Sequence, residues 1–389
     1  MVINRTCLSL ANKQFEVEIV GIVLRWARDR LALSIEEAAA KAKVPASTIR
    51  DLESNHLRPT YSLLEMLADV YSTNVPTLLR SQAPPLPLRP PDFRGAFGMP
   101  AEYSHAVASV VNRARALQQL ATDLGVTPSS ALYSAQVHTS AETAALAVRD
   151  RLGISTDTQI KWRGPYDAFR AWRSRIEEEG VVVLQLPVKG EELRGLALTD
   201  LGAPLVAVRS SDYINSRIFT LFHELGHLVN HQEALCSASD GPQRDAAEGA
   251  ETWANDFAEA ALVPSDAVSA MTGIDDSEDL DTVAEGVERA SSRFKVSRFV
   301  MLYRLRAQER ISDLTFSVLW ERFAAQVGKR SSQGRAPHGL SLPLQRLGEG
   351  FVRRIVHAAY VGDLTRAEAM TYMQLPAKYW PETSSLLVR

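Results

Sequence analysis

The feature that most restricts the fold is a short polar motif inside an apolar stretch. Residues 217–229 are mostly apolar, but His223, Glu224 and His227 interrupt them in the pattern HExxH. Side chains four residues apart lie on the same face of an α-helix, so this spacing predicts a helix with both imidazoles pointing to one place. The apolar flanks predict that this helix is buried, and polar groups buried there need partners. The chain must therefore build a core around a helix that carries three polar side chains.

Two histidines at this spacing can bind one metal ion, and the glutamate between them can act on a water molecule bound to that ion. The pattern predicts metal-assisted peptide-bond hydrolysis, with His223 and His227 as metal ligands and Glu224 as the general base. Zinc is the expected ion, and manganese or another divalent ion stays open as an alternative.

A catalytic zinc site has three protein ligands and one open position, so a third ligand is needed. Glu251 opens the next apolar helix, and an antiparallel helix can carry it back over the motif. Glu248, one turn earlier, is the alternative. A histidine ten residues after His223 is absent because position 233 is Glu. His231 lies one further turn along the same helix and is interpreted as a surface or supporting residue.

The composition indicates an ordinary globular protein. The 43 basic and 46 acidic residues give a net charge of −3, so binding to DNA would have to come from a local surface. Cys7 and Cys236 are the only cysteines and form no CxxC pair, which is typical of a reducing compartment and excludes a cysteine-rich zinc site. The N-terminus has no continuous apolar segment, and no apolar run reaches membrane-spanning length. We therefore expect a cytoplasmic protein without a membrane segment.

Residues 18–80 are predicted to form an all-α domain of about five short helices. Ser34 and Glu37 form a capping box that opens one helix, and Pro45 and Asn55 flank the next. Apolar residues recur at helical spacing through the segment, which would bury one small core.

Five prolines between residues 84 and 91 predict an extended linker over residues 81–100. The remainder combines helical periodicity with three short β-rich runs, which predict a small antiparallel sheet before the HExxH helix. These runs are residues 181–188, 193–199 and 204–209. We expect a second, α+β domain over residues 101–311.

A helical C-terminal extension is expected over residues 312–389. Arg346, Arg353 and Arg354 beside Phe351 and other apolar residues predict an amphipathic helix there, interpreted as a packed surface helix. If the last of the three predicted strands is an edge strand, an extended peptide could pair with it and lie across the metal. The alternative is that the strands are only scaffold.

Two segments together resemble the ImmA/IrrE metallopeptidase family. They are residues 217–228, which contain the HExxH motif, and residues 251–264, in which Glu251, Ala254 and Asn255 open the helix and a Leu-Val-Pro sequence closes the segment. Trp162, Arg163 and Gly164, residues 167–173 and residues 194–197 extend the resemblance over roughly residues 150–310.

This resemblance implies a zincin-like fold, with His223, His227 and Glu251 as zinc ligands and Glu224 as the base. It also implies a substrate class, since family members cleave helix-turn-helix repressors and so release stress, phage or mobile-element genes. A cognate repressor or antitoxin-like protein is therefore the expected protein partner.

The N-terminal segment is similar to the Cro/cI-like (XRE) helix-turn-helix domain over residues 33–39 and 44–53. The resemblance implies that the helix starting at residue 46 enters the major groove, with Ser47, Thr48 and Arg50 available to bases and Lys43 and Arg58 to phosphates. Position 35 is Ile where this fold commonly has a polar Gln.

The chain is therefore expected to be an α+β, multidomain protein: a helix-turn-helix domain, a linker, a zincin-like peptidase domain and a helical extension. Two functions follow. The first is a zinc-dependent endopeptidase acting in regulation. The second is an XRE-type DNA-binding transcriptional regulator whose peptidase-like domain serves as a sensor or dimerisation module. For the helical domain itself, the alternative to sequence-specific DNA binding is a module that serves only protein contact or dimerisation. Homodimerisation stays open.

Overall fold

The computed structural model of the protein describes most of the chain, and its elements fall into two compact units. One unit comprises residues 1–89 and 101–113, and the other comprises residues 90–100 and 114–389. The described residues are 16–29, 31, 33–71, 73, 75–82, 105–129, 140–188, 193–199, 202–230, 234–236, 249–326 and 339–387. The predicted proline-rich linker lies outside them except for Ser81 and Gln82. The domain boundaries predicted at residues 81, 101 and 312 stay predictions.

The N-terminal unit contains five helices within residues 16–82, as its sequence predicts. They are α1 Gly21–Asp29, α2 Ile35–Ala42, α3 Ala46–Glu53, α4 Tyr61–Val70 and α5 Val75–Leu78. Helix α2 packs against α3 and α4, and α1 packs against α3. The capping box is present, because the Ser34 hydroxyl accepts from the Glu37 amide and the Glu37 carboxylate accepts from the Ser34 amide. Asn55 has a φ of 61°, which confirms its left-handed conformation after α3.

A buried ion pair joins α1 to α3. The Arg28 guanidinium donates from Nε to Glu53 Oε1 at 2.6 Å and from Nη2 to Glu53 Oε2 at 2.9 Å. Its Nη1 also donates to the Leu33 carbonyl at 2.7 Å. Both charged side chains are more than nine-tenths buried. Nothing in the sequence pattern signals this pair, which closes the otherwise apolar core of the unit.

The second unit contains a four-stranded mixed sheet. Its strands are β1 Val182–Leu186, β2 Gly195–Leu198, β3 Leu205–Arg209 and β4 Ala234–Cys236. Their order is β1-β3-β2-β4. Strand β3 is parallel to β1 and antiparallel to β2, and β2 is antiparallel to β4. The three predicted strands all exist, and the short strand β4 is an addition.

The predicted purely antiparallel sheet is wrong in strand order. Successive strands do reverse direction, but β3 lies between β1 and β2 and therefore pairs with β1 in parallel. The connections between strands, residues 187–194 and residues 199–204, are both longer than typical hairpin loops, so β1 is not forced to pair with β2 and can join the far side of β3. The strands are buried almost throughout, so alternation of apolar residues carried no information on order. As an interior strand, β3 cannot accept an added peptide, and that hypothesis is wrong for β3.

Helices surround this sheet and supply most of the core. Before β1 lie α6 His105–Asp123, of which residues from 114 onward belong to this unit, α7 Ala141–Leu152, α8 Thr156–Ile160 and α9 Pro165–Glu178. After β3 come α10 Ile214–Val229, α11 Ala250–Leu262, α12 Ser265–Ser269, α13 Leu280–Phe294, α14 Arg298–Ala307 and α15 Asp313–Ala324. Helix α10 packs against α9, α11, β2 and β3. No helix in the described part of the chain has the length and apolar character needed to span a bilayer.

The C-terminal extension is helical, as predicted, and part of it packs on the sheet. It begins with α15, which packs against α14, and continues with α16 Ser341–Leu347, α17 Glu349–Val361, α18 Arg366–Met373 and α19 Trp380–Ser384. Helix α16 packs against β1, and the Gln345 carbonyl accepts from Gln185 Nε2 at 2.8 Å and from Arg173 Nη1 at 2.7 Å. Gly348, with a φ of 86°, separates α16 from α17, so Arg346 is not on the amphipathic helix of Arg353 and Arg354.

Candidate metal centre

Helix α10 brings the HExxH side chains into the interior. His223 is 4% exposed, Glu224 is 0% exposed and His227 is 2% exposed. The remaining faces of the helix are apolar and contact the sheet and α9, where Phe222 meets the edge of Trp172 at a ring-centroid distance of 4.8 Å. The three polar side chains are therefore held in one orientation by the core on either side of them.

A glycine lets the next helix approach this face closely. At Gly226, an added Cβ would lie 3.0 Å from a ring carbon of Phe257 and 3.3 Å from Cα of Ala254. Helix α11 therefore crosses α10 with almost no space between their backbones. This crossing carries Glu251, in the first turn of α11, over the two histidines, as the sequence predicted. Glu248 and His231 lie outside the described residues.

Three potential ligand atoms converge at the crossing. The Nε2 atoms of His223 and His227 are 3.2 Å apart. Glu251 Oε2 is 3.2 Å from His223 Nε2, and Glu251 Oε1 is 3.2 Å from His227 Nε2. A tetrahedral zinc ion with its usual bond lengths separates neighbouring ligand atoms by about 3.3 Å. The donor set and its spacing thus fit zinc. Within the described part of the chain, this is the group of His, Cys, Asp and Glu side chains able to hold a metal ion.

Asn255 orients one of these histidines. Its Oδ1 atom lies 2.9 Å from His223 Nδ1, and the asparagine is 7% exposed. An amide oxygen is only an acceptor, so His223 Nδ1 donates to it, and the neutral imidazole carries its proton on Nδ1 and not on Nε2. The Nε2 lone pair then faces the other two ligands, which is the tautomer that binds metal. Asn255 lies one turn after Glu251 on α11, so one helix supplies both a candidate ligand and the hydrogen-bond partner of another candidate ligand. The four-residue spacing of Glu251 and Asn255 is visible in the sequence, but the contact of Asn255 with His223 was not predicted.

We expect Asn255→Ala to weaken zinc binding by about 10–100-fold, because the His223 ring loses the acceptor that sets its tautomer. Competition with a chromophoric chelator measures the affinity. Asn255→Asp is the matched control, since it keeps an acceptor and should stay close to the wild-type value. Equal affinities for wild type and Asn255→Ala would show that the contact does not orient the ligand.

The site favours positive charge. Burial disfavours the charged form of His223, but its hydrogen bond to Glu251 and the charges of Glu224 and Glu251 outweigh burial and raise its pKa. Burial also disfavours ionised Glu251, but hydrogen bonds and charge interactions with both imidazoles hold its pKa well below the usual range. Two carboxylates around two imidazoles therefore create a field that stabilises a cation between them.

Strand β2 lies directly against the Glu224 carboxylate. A Cβ placed on Gly195 would overlap Glu224 Oε1 and lie 2.6 Å from Cγ2 of Thr220. Glycine at this position therefore leaves the room that the carboxylate occupies. Both edges of β2 are paired, with β3 on one side and β4 on the other. An extended peptide could reach this region only along β4, the outer strand of the described sheet.

The candidate DNA-contacting residues occupy the surface of the N-terminal unit. Lys43 follows α2 in a left-handed conformation, Ser47 and Arg50 are exposed on α3, and Thr48 is half-buried. Arg58 is exposed and lies 3.5 Å from Glu18 Oε1, while Arg50 lies 3.7 Å from Glu36 Oε1. Exposed pairs of this kind contribute about 0–1 kcal/mol, so they do not hold the two arginines away from another partner.

Two family models match the chain, each over one of its units. Residues 176–306 match the model described as the IrrE N-terminal-like domain, Peptidase_M78. Residues 24–78 match the model described as Helix-turn-helix, HTH_3. No curated protein and no solved structure matches the chain. The two-part architecture predicted from the sequence is thus confirmed, with a helix-turn-helix domain followed by an IrrE-like, metallopeptidase-like domain.

Proposed function

We propose that the chain is a zinc-dependent endopeptidase that acts in regulation by cleaving a helix-turn-helix repressor or antitoxin-like protein. One observation carries the proposal. Two imidazoles and one carboxylate converge at the spacing of zinc ligands, and a second carboxylate, Glu224, follows the first ligand directly in the chain. Three protein ligands leave a position for water and substrate, which is the arrangement of catalytic rather than structural zinc.

The residues divide the chemistry as follows. His223, His227 and Glu251 would hold the metal, and Asn255 keeps His223 in the binding tautomer. When bound, the metal would acidify a water molecule and polarise the scissile carbonyl. Glu224 accepts the proton of the attacking water and passes it to the leaving amine. Complete burial of Glu224 against β2 restricts the carboxylate to the position from which it can do so.

The combination of domains supports this substrate class. A peptidase that acts on one DNA-associated protein can use a helix-turn-helix unit to bind that protein or its operator, whereas a general digestive peptidase has no use for such a unit. Strand β4 offers the outer edge along which an extended segment of the substrate can pair, next to the strand that covers Glu224.

A second function is supported by α3 itself. Its Ser47 and Arg50 are exposed and therefore available to a DNA groove, which supports an XRE-type DNA-binding regulator in which the peptidase-like unit is a sensor or dimerisation module. The two functions differ in what they require of the metal centre, because only the first requires it to cleave a peptide bond.

Cleavage of helix-turn-helix repressors from the same genome tests the proposal. The full chain is loaded with zinc, its metal content is measured, and each repressor is followed by intact-mass spectrometry. We expect two fragments from one bond, loss of cleavage after chelation, and recovery with zinc or manganese. The metal-stripped protein, reloaded with magnesium, is the control, because magnesium prefers oxygen ligands.

Repressors that all stay intact after incubation with the zinc-loaded protein would contradict the peptidase function. In that case a gel shift on the promoter of the chain decides the alternative. DNA binding that weakens with rising salt and with Arg50→Ala would support the regulator function. Contacts to phosphates make the affinity depend on salt, and contacts from α3 make it depend on Arg50.

A further inference from the structure

A large cavity lies in the second unit and contains none of the metal-site residues. Its volume is about 1150 Å³, and it is lined by α9, β1, the start of α10 and the C-terminal helices α16 and α17. This is at or above the size of typical small-molecule sites. The cavity therefore lies where the C-terminal extension packs against the peptidase-like core.

One wall of the cavity holds a buried cation that contacts no carboxylate among the described residues. Arg217, in the first turns of α10, is 9% exposed. It donates from Nη1 to Gln185 Oε1 at 2.8 Å and from Nε to the Asp212 carbonyl at 2.7 Å. The Asp212 carboxylate instead accepts from Arg209 at 2.5 Å. Burial, the largest influence, lowers the pKa of Arg217, as expected for a guanidinium whose charge is poorly compensated.

A second cation faces the cavity from α17. Arg354 is exposed there, and no hydrogen bond or ion pair joins it to another described residue. The neighbouring arginines are already neutralised. Arg170 pairs with Asp167, Arg173 contacts Glu177 at 2.7 Å, and Arg353 contacts Glu349 at 2.8 Å. The uncompensated positive charge of the cavity thus belongs to Arg217 and Arg354.

An aromatic surface accompanies the two charges. The Tyr166 side chain, at the start of α9, lines the cavity and is 63% exposed. An exposed ring beside guanidinium groups suits a ligand that combines an anionic group with a flat apolar part, because guanidinium groups bind phosphate through paired donors and the ring offers a face for stacking.

We propose that this cavity binds a small phosphate-bearing aromatic molecule of the nucleotide class, with the phosphate received by Arg217 and Arg354 and the base placed on Tyr166. The ligand would contact the metal-bearing helix through Arg217 and the C-terminal extension through Arg354. Gln185 already links the two, because it accepts from Arg217 and donates to the Gln345 carbonyl. Binding is independent of whether the metal centre cleaves peptides.

Calorimetry on the full, zinc-loaded chain with AMP as the probe tests the site, at ionic strength matched with chloride. We expect one binding site, and at least tenfold weaker binding of adenosine, which lacks the phosphate. Arg354→Glu should weaken AMP binding at least tenfold, and because Arg354 is exposed this variant should fold normally. Arg217→Gln should weaken it to a similar extent. Arg289→Glu, an exposed reversal on α13, is the matched control and should change affinity less than twofold.

Three results would overturn the proposal. The first is absence of AMP binding to the wild type. The second is binding that Arg354→Glu leaves unchanged. The third is binding that disappears when the metal is stripped, since the phosphate would then be held by the metal rather than by the cavity.

Discussion

Replacement of Glu224 by Gln is expected to lower the turnover number for repressor cleavage by about 10²–10⁴-fold while the zinc content stays at the wild-type value. The amide has nearly the shape of the carboxylate, so it fits the space under Gly195. It cannot accept the proton of the attacking water, because its oxygen is far less basic. The proposed metal ligands, His223, His227 and Glu251, are unchanged in this variant.

Metal analysis, thermal melting and single-turnover cleavage of the same preparations check this expectation. Glu288→Gln is the control, because Glu288 is an exposed residue on α13 that pairs with Arg298 and should leave cleavage unaltered. Cleavage by Glu224→Gln at the wild-type rate would show that another group acts as the base. Loss of zinc together with loss of cleavage would instead show that Glu224 supports the metal ligands.

Glu53→Ala is expected to destabilise the N-terminal unit by about 1.5–3 kcal/mol, because it removes the buried carboxylate that holds Arg28 through two charged hydrogen bonds. Arg28 keeps its hydrogen bond to the Leu33 carbonyl and its 2.7 Å contact with Asp29, but the Asp29 carboxylate is half-exposed and balances the buried charge only in part. Hydrogen exchange of the full chain, followed by mass spectrometry over α1 to α3, measures the local free energy of opening.

A matched substitution distinguishes the effect of losing a buried ion pair from the effect of losing an exposed one. Glu36→Ala removes the carboxylate of the exposed pair with Arg50, and we expect a change below about 1 kcal/mol. Equal protection of α1 to α3 in wild type and Glu53→Ala would mean that Arg28 finds another partner or water. Removing both charges with Arg28→Met and Glu53→Leu should recover part of the lost stability, though the Leu33 carbonyl then lacks its donor.

Local features of the sequence predicted local structure well. Ser34 and Glu37 placed the start of α2 because a capping box acts within one turn, and Asn55 marked the end of α3 through its tolerance of positive φ. The spacing of His223 and His227 predicted their common face for the same reason. These inferences need only the geometry of one helix.

Tertiary placement was predictable only where few arrangements were available. Glu251 could be foreseen over the histidines because α11 follows α10 and must pack against it, but the choice over Glu248 depends on where the helices cross. Gly226 allows the close crossing at Ala254, and no periodicity in the sequence reports it. The assignment of Glu251 as a ligand remains a prediction supported by the convergence of its carboxylate with both imidazoles.

Long-range polar contacts could not be anticipated. Three such contacts join Arg28 to Glu53, Arg173 to the Gln345 carbonyl and Arg217 to Gln185, and each forms only after distant elements have packed. The prediction of the strand order was wrong for a related reason. Strands buried on both faces are apolar throughout, so nothing in their pattern distinguishes an interior strand from an edge strand.

The packing of α16 on β1 limits how this chain can be shortened. Strand β1 is an outer strand of the described sheet, and α16, which comes after residue 339, packs against it. A fragment ending at the predicted boundary of residue 311 would uncover that strand, and bare strand edges recruit other chains into aggregates. A recombinant fragment of the second unit therefore has to retain the C-terminal helices, because α16 packs against the outer strand β1.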